Sequence, residues 1–108
     1  MTWNLKENRA TVQLKIPHWA ARMWGSNAPG WLVLDKELGD GATLGDLLAD
    51  LVTNYPYLRN IVFNQETGAV SDQIMVILND TLIQDADVIR HELSEGDSVT
   101  LLPLYAGG

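Results

Sequence analysis

Length, composition and charge set the first boundaries on what this chain can be. Its 108 residues suit one domain, and 46% hydrophobic with 19% charged residues is ordinary for a globular protein. Fourteen acidic against seven basic residues give a net charge of −7, which argues against nucleic acid as a partner, because no basic stripe is present to displace counterions from phosphates. The absence of cysteine excludes disulfides, thiolate metal sites and cysteine nucleophiles.

The acidity has two interpretations. It favours a partner with a basic surface, because complementary charge steers encounter, or it serves solubility alone. No apolar run is long enough to cross a membrane, and the first seven residues lack the apolar region of a secretory signal. We therefore expect a cytoplasmic protein with no membrane partner.

The first third of the chain predicts two strands separated by an irregular stretch. Ala10 to Ile16 alternates apolar and polar residues, which is typical of a half-buried strand, and Pro17 ends it. His18 to Gly30, rich in Trp, Gly, Asn and Pro, is expected to be an irregular insertion. Trp31 to Leu34 is expected to form a short second strand that pairs with the first, and Asp35 to Ala42 a loop.

Aromatic residues are concentrated in and after the insertion. Trp19, Met23, Trp24 and Trp31 form either a patch that binds a partner or a lid over one end of the sheet. We favour the lid.

Thr43 to Asn54 is the clearest helix. Thr43 occupies the N-cap position, and Asp46 follows three residues later near the positive end of the helix. One apolar stripe, spaced as on a helix face, is formed by Leu44, Leu47, Leu48, Leu51 and Val52. Pro56 restricts the residue before it and ends the helix.

The second half of the chain predicts strands and short turns. Leu58 to Phe63 is compatible with a short helix or an extended segment. Gln73 to Leu78 is nearly all apolar, as expected of a central strand covered on both faces, and Thr81 to Ile83 suits an edge strand. Asp85 to Leu93 suggests a helical turn or loop, and Ser98 to Leu104 the last strand. The order predicts an α+β fold of the β-grasp (ubiquitin-like) kind: a mixed sheet of four to five strands with one main helix packed on one face.

Three segments of the chain resemble the sulfur carriers of the MoaD/ThiS type. Asp40 to Leu48 is similar to the start of their helix, and Ile77 to Asp80 to the end of one of their strands. Glu95 to Gly108, which reads Glu-Gly-Asp-Ser-Val-Thr-Leu-Leu-Pro-Leu-Tyr-Ala-Gly-Gly, resembles their ending. The resemblance covers about residues 10–16 and 31–108. The insertion at 18–30 has no counterpart in the common pattern.

The resemblance implies a chemical role for the last residues. Gly108 would be adenylated at its carboxylate by an E1-like enzyme, with ATP and Mg²⁺ held by that enzyme and no cofactor bound by this chain. A persulfide protein would then supply the sulfur that makes a Gly108 thiocarboxylate. Gly107 and Ala106 would pass through the narrow channel of the partner, because they lack bulky side chains. The whole chain would then be one domain, 1–108, with a flexible tail at 105–108.

Partner contacts are expected on the strand that precedes this tail. Leu102, Leu104 and Tyr105 are the docking candidates, although core packing is the alternative for about half of such positions. His18 and His91 lie far apart with no ligand spacing between them, so we expect no metal site.

The chain carries no nucleophile, base and orienting group that would suggest independent catalysis. We expect a protein cosubstrate for molybdopterin (or tungstopterin), thiamin or related cofactor biosynthesis, or the small subunit of a molybdopterin-synthase-type enzyme with a larger subunit. Two alternatives stay open: a ubiquitin-like modifier conjugated through Gly108, and an interaction module.

Overall fold

The computed structural model describes residues 9–25, 29–39, 41–83 and 88–104. Five strands form one mixed sheet in the order β2-β1-β5-β3-β4. In chain order the strands are β1 Arg9–Ile16, β2 Leu32–Gly39, β3 Ile74–Leu78, β4 Thr81–Ile83 and β5 Ser98–Pro103. β5 is central: it runs parallel to β1 on one side and antiparallel to β3 on the other. The predicted mixed sheet with a short edge strand, β4, is confirmed.

The helical layer consists of one long helix and several short turns. The helices are α1 His18–Met23, α2 Leu44–Asn54 and α3 Arg59–Val62, and 3-10 turns span Pro56–Leu58 and Val88–Arg90. The segment from 58 to 63, ambiguous in sequence, is therefore mostly helical.

A capping box fixes the start of α2. The Thr43 hydroxyl accepts a hydrogen bond from the Asp46 backbone N–H (3.2 Å), and the Asp46 carboxylate accepts one from the Thr43 backbone N–H (3.0 Å). These bonds satisfy N–H groups that a helix start leaves without partners. The predicted N-cap is confirmed.

The core lies between α2 and one face of the sheet. The predicted stripe of α2 is entirely buried, and it meets alternate residues of the strands, namely Val12, Leu14, Ile16, Ile74, Val76, Leu78, Val99 and Leu101. Burying each such side chain stabilises the fold by about 1.5–3 kcal/mol.

Gly45 lets the Val88–Arg90 turn approach α2 closely. A Cβ atom at position 45 would lie 2.7 Å from the backbone oxygen of Ile89 and 3.1 Å from its Cβ. Only a glycine fits this contact without a shift of the turn.

The second strand is longer than its sequence predicts. The expected loop at 35–42 is wrong for residues 35–39, because β2 pairs with β1 from Leu32 to Gly39. Lys36, at a half-buried position, reaches across to α2, where its Nζ lies 2.8 Å from an Asp50 carboxylate oxygen. The charged run therefore belongs to an edge strand rather than to a loop, and it alternates faces as a strand must.

The insertion is not irregular throughout. α1 occupies residues 18–23, with Ala20 and Ala21 buried and Trp24 partly buried against the core. Trp19 and Met23 are instead 50% and 52% exposed. The lid interpretation therefore fits Trp24 alone of the four predicted residues, because Trp19, Met23 and Trp31 are each about half exposed. The two buried alanines, which were not part of that prediction, attach α1 to the core.

Among the residues that the structure describes, β3 is fully buried on one face and half-buried on the other, which corrects the prediction of burial on both. Ile74, Val76 and Leu78 are buried under α2, while Met75 and Ile77 are half-buried on the other face. Apolar side chains on an uncovered face form a candidate contact surface. None of the helices in the described part of the chain is long and apolar enough to cross a membrane.

Candidate docking site around the carboxyl-terminal strand

The face of the sheet turned away from α2, here called the open face, carries no helix from the described residues. Alternation and strand register assign to it Thr11, Gln13, Lys15, Val33, Asp35, Glu37, Met75, Ile77, Leu82, Ser98, Thr100 and Leu102. This is the surface available for a partner near β5.

Strand register arranges these side chains in rows across the sheet. One row runs Leu82, Ile77, Thr100, Lys15 and Val33, each aligned with the next on the neighbouring strand. Such aligned neighbours lie about 5 Å apart and contact each other.

The next row brings Met75 opposite Leu102, the residue that precedes the last of β5. The end of the sheet where β1 and β5 finish, at Ile16 and Pro103, is here called the tail end, because residues 105–108 follow it. Trp31, one residue before β2, is 55% exposed and continues its alternation at this same end.

The open face therefore has an apolar half and a polar half. Its tail half is apolar apart from Lys15 and Thr100, and it includes Val33, 45% exposed, and Leu82, 39% exposed. Its other half is polar: the Gln13 amide donates a hydrogen bond to Asp35 (3.1 Å). An apolar area bordered by polar groups is typical of a protein interface.

The docking candidates can now be placed. Leu102 is half-buried on the open face, and Leu104 is 44% exposed just beyond β5. The Leu104 backbone N–H donates to the Gln73 carbonyl (2.8 Å), which holds this position beside the start of β3. Tyr105 and the predicted reacting and channel residues, Ala106, Gly107 and Gly108, lie outside the described residues.

Four residues of this surface were not identified from sequence: Val33, Met75, Ile77 and Leu82. Each lies on a strand other than β5, and only the register between strands places them on the same half of the open face as Leu102, with Met75 directly opposite it. For Met75 and Ile77, the sequence signal was the near-continuous apolar run of β3. That run predicted burial on both faces of the strand, whereas the second face forms a half-buried apolar surface.

A groove of about 570 Å³ adjoins the apolar half, between β4 and the segment before β3. Leu104, Met75 and Leu82 contribute its wall, with Asp72 and Ser71 at its polar side. A partner side chain of aromatic or aliphatic type fits such a groove beside the start of the tail.

The opposite end of the sheet is acidic. The Thr11 backbone N–H donates to the Glu95 carboxylate (2.8 Å), and Asp97 accepts from the Asn79 amide (2.8 Å) and from the Ser94 backbone N–H (2.7 Å). Within the described ranges, no group of three or more His, Asp or Glu side chains is placed to hold a metal ion.

The sheet order, the single long helix and the central last strand define a small β-grasp domain of the ubiquitin-like class. The family model described as the ThiS family matches residues 29–108. The chain belongs to the ThiS family.

Two relatives and one solved structure illustrate the similarity. Sulfur carrier protein CysO of Mycobacterium tuberculosis is 30% identical over 69 residues, which are 63% of this chain and 74% of the relative. Small archaeal modifier protein 3 of Haloferax volcanii is 33% identical over 69 residues, 64% of this chain and 73% of the relative. The crystal structure of SAMP1 from Haloferax volcanii matches with a TM-score of 0.66 and 29% identity, over 92% of this chain and 100% of that one.

These matches confirm the predicted β-grasp fold and the predicted family. They also carry both functional names, a sulfur carrier and a modifier, so the coarse function is that of a sulfur-carrier or ubiquitin-like small-modifier protein.

Proposed function

We propose that this chain is a sulfur carrier whose reacting group is the Gly108 carboxylate. An E1-like enzyme, holding ATP and Mg²⁺, adenylates that carboxylate in the cytoplasm. The chain serves as a protein cosubstrate, and its role is to present residues 105–108 to successive partners.

The chemistry needs activation because a carboxylate is a poor acyl donor. A Gly108 oxygen attacks the α-phosphorus of ATP, and pyrophosphate leaves. Sulfur from a persulfide donor protein then attacks the carbonyl carbon, and AMP leaves. The product of persulfide attack is an acyl disulfide between Gly108 and the donor protein. A second thiol attacks the donor's sulfur, the S–S bond to the acyl sulfur breaks, and the Gly108 thiocarboxylate leaves while the donor and the thiol end in a disulfide.

The observation that carries the proposal is the apolar half of the open face at the tail end. Leu102 and Leu104 lie there beside Met75, Ile77 and Leu82, immediately before the residues that would react. A partner docked on this half would have the tail directed toward its own active site. Ala106 and Gly107 add little bulk to that tail.

Intact-mass measurement tests the proposal. The protein is incubated with an E1-like adenylating enzyme from the same organism, ATP, Mg²⁺ and sulfide. We expect a mass increase equal to the exchange of one oxygen for one sulfur, and no increase in a variant that lacks Gly108. A wild-type mass that stays unchanged, with no ATP–pyrophosphate exchange, would contradict the proposal.

The acceptor of the sulfur is proposed to be a cofactor precursor, of molybdopterin (or tungstopterin), thiamin or a related compound. A larger synthase subunit would receive the tail if the acceptor is a pterin. To distinguish these acceptors, the thiocarboxylate form of the protein is added to the purified enzymes and precursor of each pathway. The pathway in which the sulfur-containing product forms identifies the acceptor.

A second candidate is conjugation of Gly108 to lysines of target proteins. The similarity to small archaeal modifier protein 3 favours it, and it shares the adenylation step. Epitope-tagged protein expressed in cells should then form high-mass conjugates that disappear when Gly108 is deleted. Thiocarboxylate formation without such conjugates would restrict the protein to sulfur transfer.

A further inference from the structure

α1 presents a surface that the core does not need. Ala20 and Ala21 face the core, whereas Trp19 and Met23, four residues apart, share the outer side and are each about half exposed. Arg22, in the last turn, is exposed between them. Large exposed Trp and Met side chains are uncommon on a free surface, and Trp, Met and Arg are all enriched in protein interfaces.

This outer side lies at the tail end. β1 is parallel to β5 with Lys15 aligned to Thr100, and α1 begins two residues after β1 ends. Neighbouring strands are about 4.8 Å apart, so α1 starts beside the last residues of β5. Trp31, before β2, is on the open face at the same end. We name Trp19, Arg22, Met23 and Trp31 the α1 surface.

Charge along the chain is unevenly divided around this surface. Residues 8–34 contain three of the seven basic residues, Arg9, Lys15 and Arg22, and no acidic one. Arg9 begins β1 at the opposite end of the sheet, so Lys15 and Arg22 are the basic residues of this stretch that lie toward the tail end. The rest of the chain therefore carries all fourteen acidic residues and four basic ones. Several of those acids, including Glu95 and Asp97, lie at the opposite end of the sheet.

A partner that takes Gly108 into its active site must come close to the tail end. Gly108 follows Leu104 by four residues in the sequence, and an extended chain of that length spans at most about 14 Å. The partner therefore meets the end of this protein that carries Arg22, Lys15 and the exposed aromatic residues, with Asp72 at the far side beside Leu104. The basic partner surface expected from the net charge stays a prediction, and it would have to face another part of the protein.

We propose that the α1 surface is a second part of the docking site for the adenylating enzyme, and that the enzyme surface facing it is apolar and acidic. The inference rests on the proposed function, since it concerns the same partner. A protein surface is favoured over an anionic membrane, because the net charge of −7 repels such a membrane and α1 has only six residues.

Steady-state ATP–pyrophosphate exchange, measured against carrier concentration, tests the proposal. Arg22→Glu should raise the KM for the carrier about tenfold and leave kcat unchanged, because only binding is weakened. The matched control is Arg59→Glu, which makes the same charge change at an exposed position on α3. Its KM should stay within about twofold, as expected for a charge outside the interface.

Two further variants keep the test independent of folding. Arg22→Lys retains the positive charge and should keep most of the affinity. Trp19→Ala with Met23→Ala should raise the KM as Arg22→Glu does, while far-UV circular dichroism stays that of the wild type.

The outcomes separate the two proposals. No exchange with the wild type contradicts the proposed function, and the inference fails with it. Exchange with equal KM for Arg22→Glu and Arg59→Glu overturns the inference alone. Co-sedimentation of the wild type, but not of the Trp19/Met23 variant, with phosphatidylserine vesicles, together with that equal KM, assigns the surface to a membrane instead.

Discussion

Replacing Gly45 with alanine tests the close contact between α2 and the Val88–Arg90 turn. The added Cβ would lie 2.7 Å from the Ile89 carbonyl oxygen and 3.1 Å from the Ile89 Cβ. A side chain could rotate away from such a contact, but a backbone carbonyl can move only with its whole turn. The turn must shift, and with it the buried side chain of Val88.

Two opposing terms set the magnitude. Overpacking of this kind costs about 1–3 kcal/mol. Alanine has a higher helix propensity than glycine, which stabilises the helix by up to about 1 kcal/mol and by less in the first turn. We therefore expect a net loss of about 1–2 kcal/mol in the free energy of unfolding. For a domain of this size, each kcal/mol lowers the melting temperature by about 4–8 °C.

Urea unfolding followed by far-UV circular dichroism measures this loss. The matched control is Gly39→Ala, the same change at a position where the new Cβ meets no atom within 4 Å. The control should be neutral or slightly stabilising. Equal stability for Gly45→Ala and the wild type would refute the argument that this contact requires glycine.

Four further substitutions, in two pairs, probe the core and the β3–β4 turn. Leu48→Ala, at a position with no exposure, should lower the free energy of unfolding measured in urea by about 2–5 kcal/mol. Leu82→Ala, on the open face, should lower it by less than about 1 kcal/mol, and similar losses for the two variants would contradict the assigned faces. Asp80→Gly should raise the melting temperature by a few degrees, gaining about 0.5–1 kcal/mol, because Asp80 has a φ of +72°. Asn79→Gly should instead destabilise, since the Asn79 side chain accepts from the Ser98 backbone N–H (2.9 Å); a gain there would refute the turn assignment.

Much of the fold was predictable because its signals are local. The stripe of α2 repeats at helical spacing and Thr43 caps it, so pattern and chemistry agree. β1 alternates cleanly as far as Ile16, and Pro17 marks its end.

The first part of β2 was predicted, and its pairing with β1 is confirmed. Residues 35–39 of β2 and helix α1 were not predictable in the same way, because their stability comes from contacts with distant residues. In the sequence, Lys36 is typical of a loop, and its ion pair with Asp50 on α2 becomes evident only in the structure. α1 has only six residues, too few for a stable isolated helix, and the burial of Ala20 and Ala21 holds it.

The residues of the candidate docking site also fall into those that local sequence predicts and those that only the tertiary structure brings together. Leu102 and Leu104 were predicted from their closeness in sequence to Gly108. Met75 and Leu82 could be added only once the register of three strands was known.

The central position of β5 has a mechanical consequence. Backbone hydrogen bonds tie this strand to a parallel neighbour, β1, and to an antiparallel one, β3. Traction applied through Leu104 along the strand would load these bonds together in shear, rather than opening them one after another as at an edge. If a partner draws in the residues after Pro103, as the proposed function requires, the domain would keep its fold under that load.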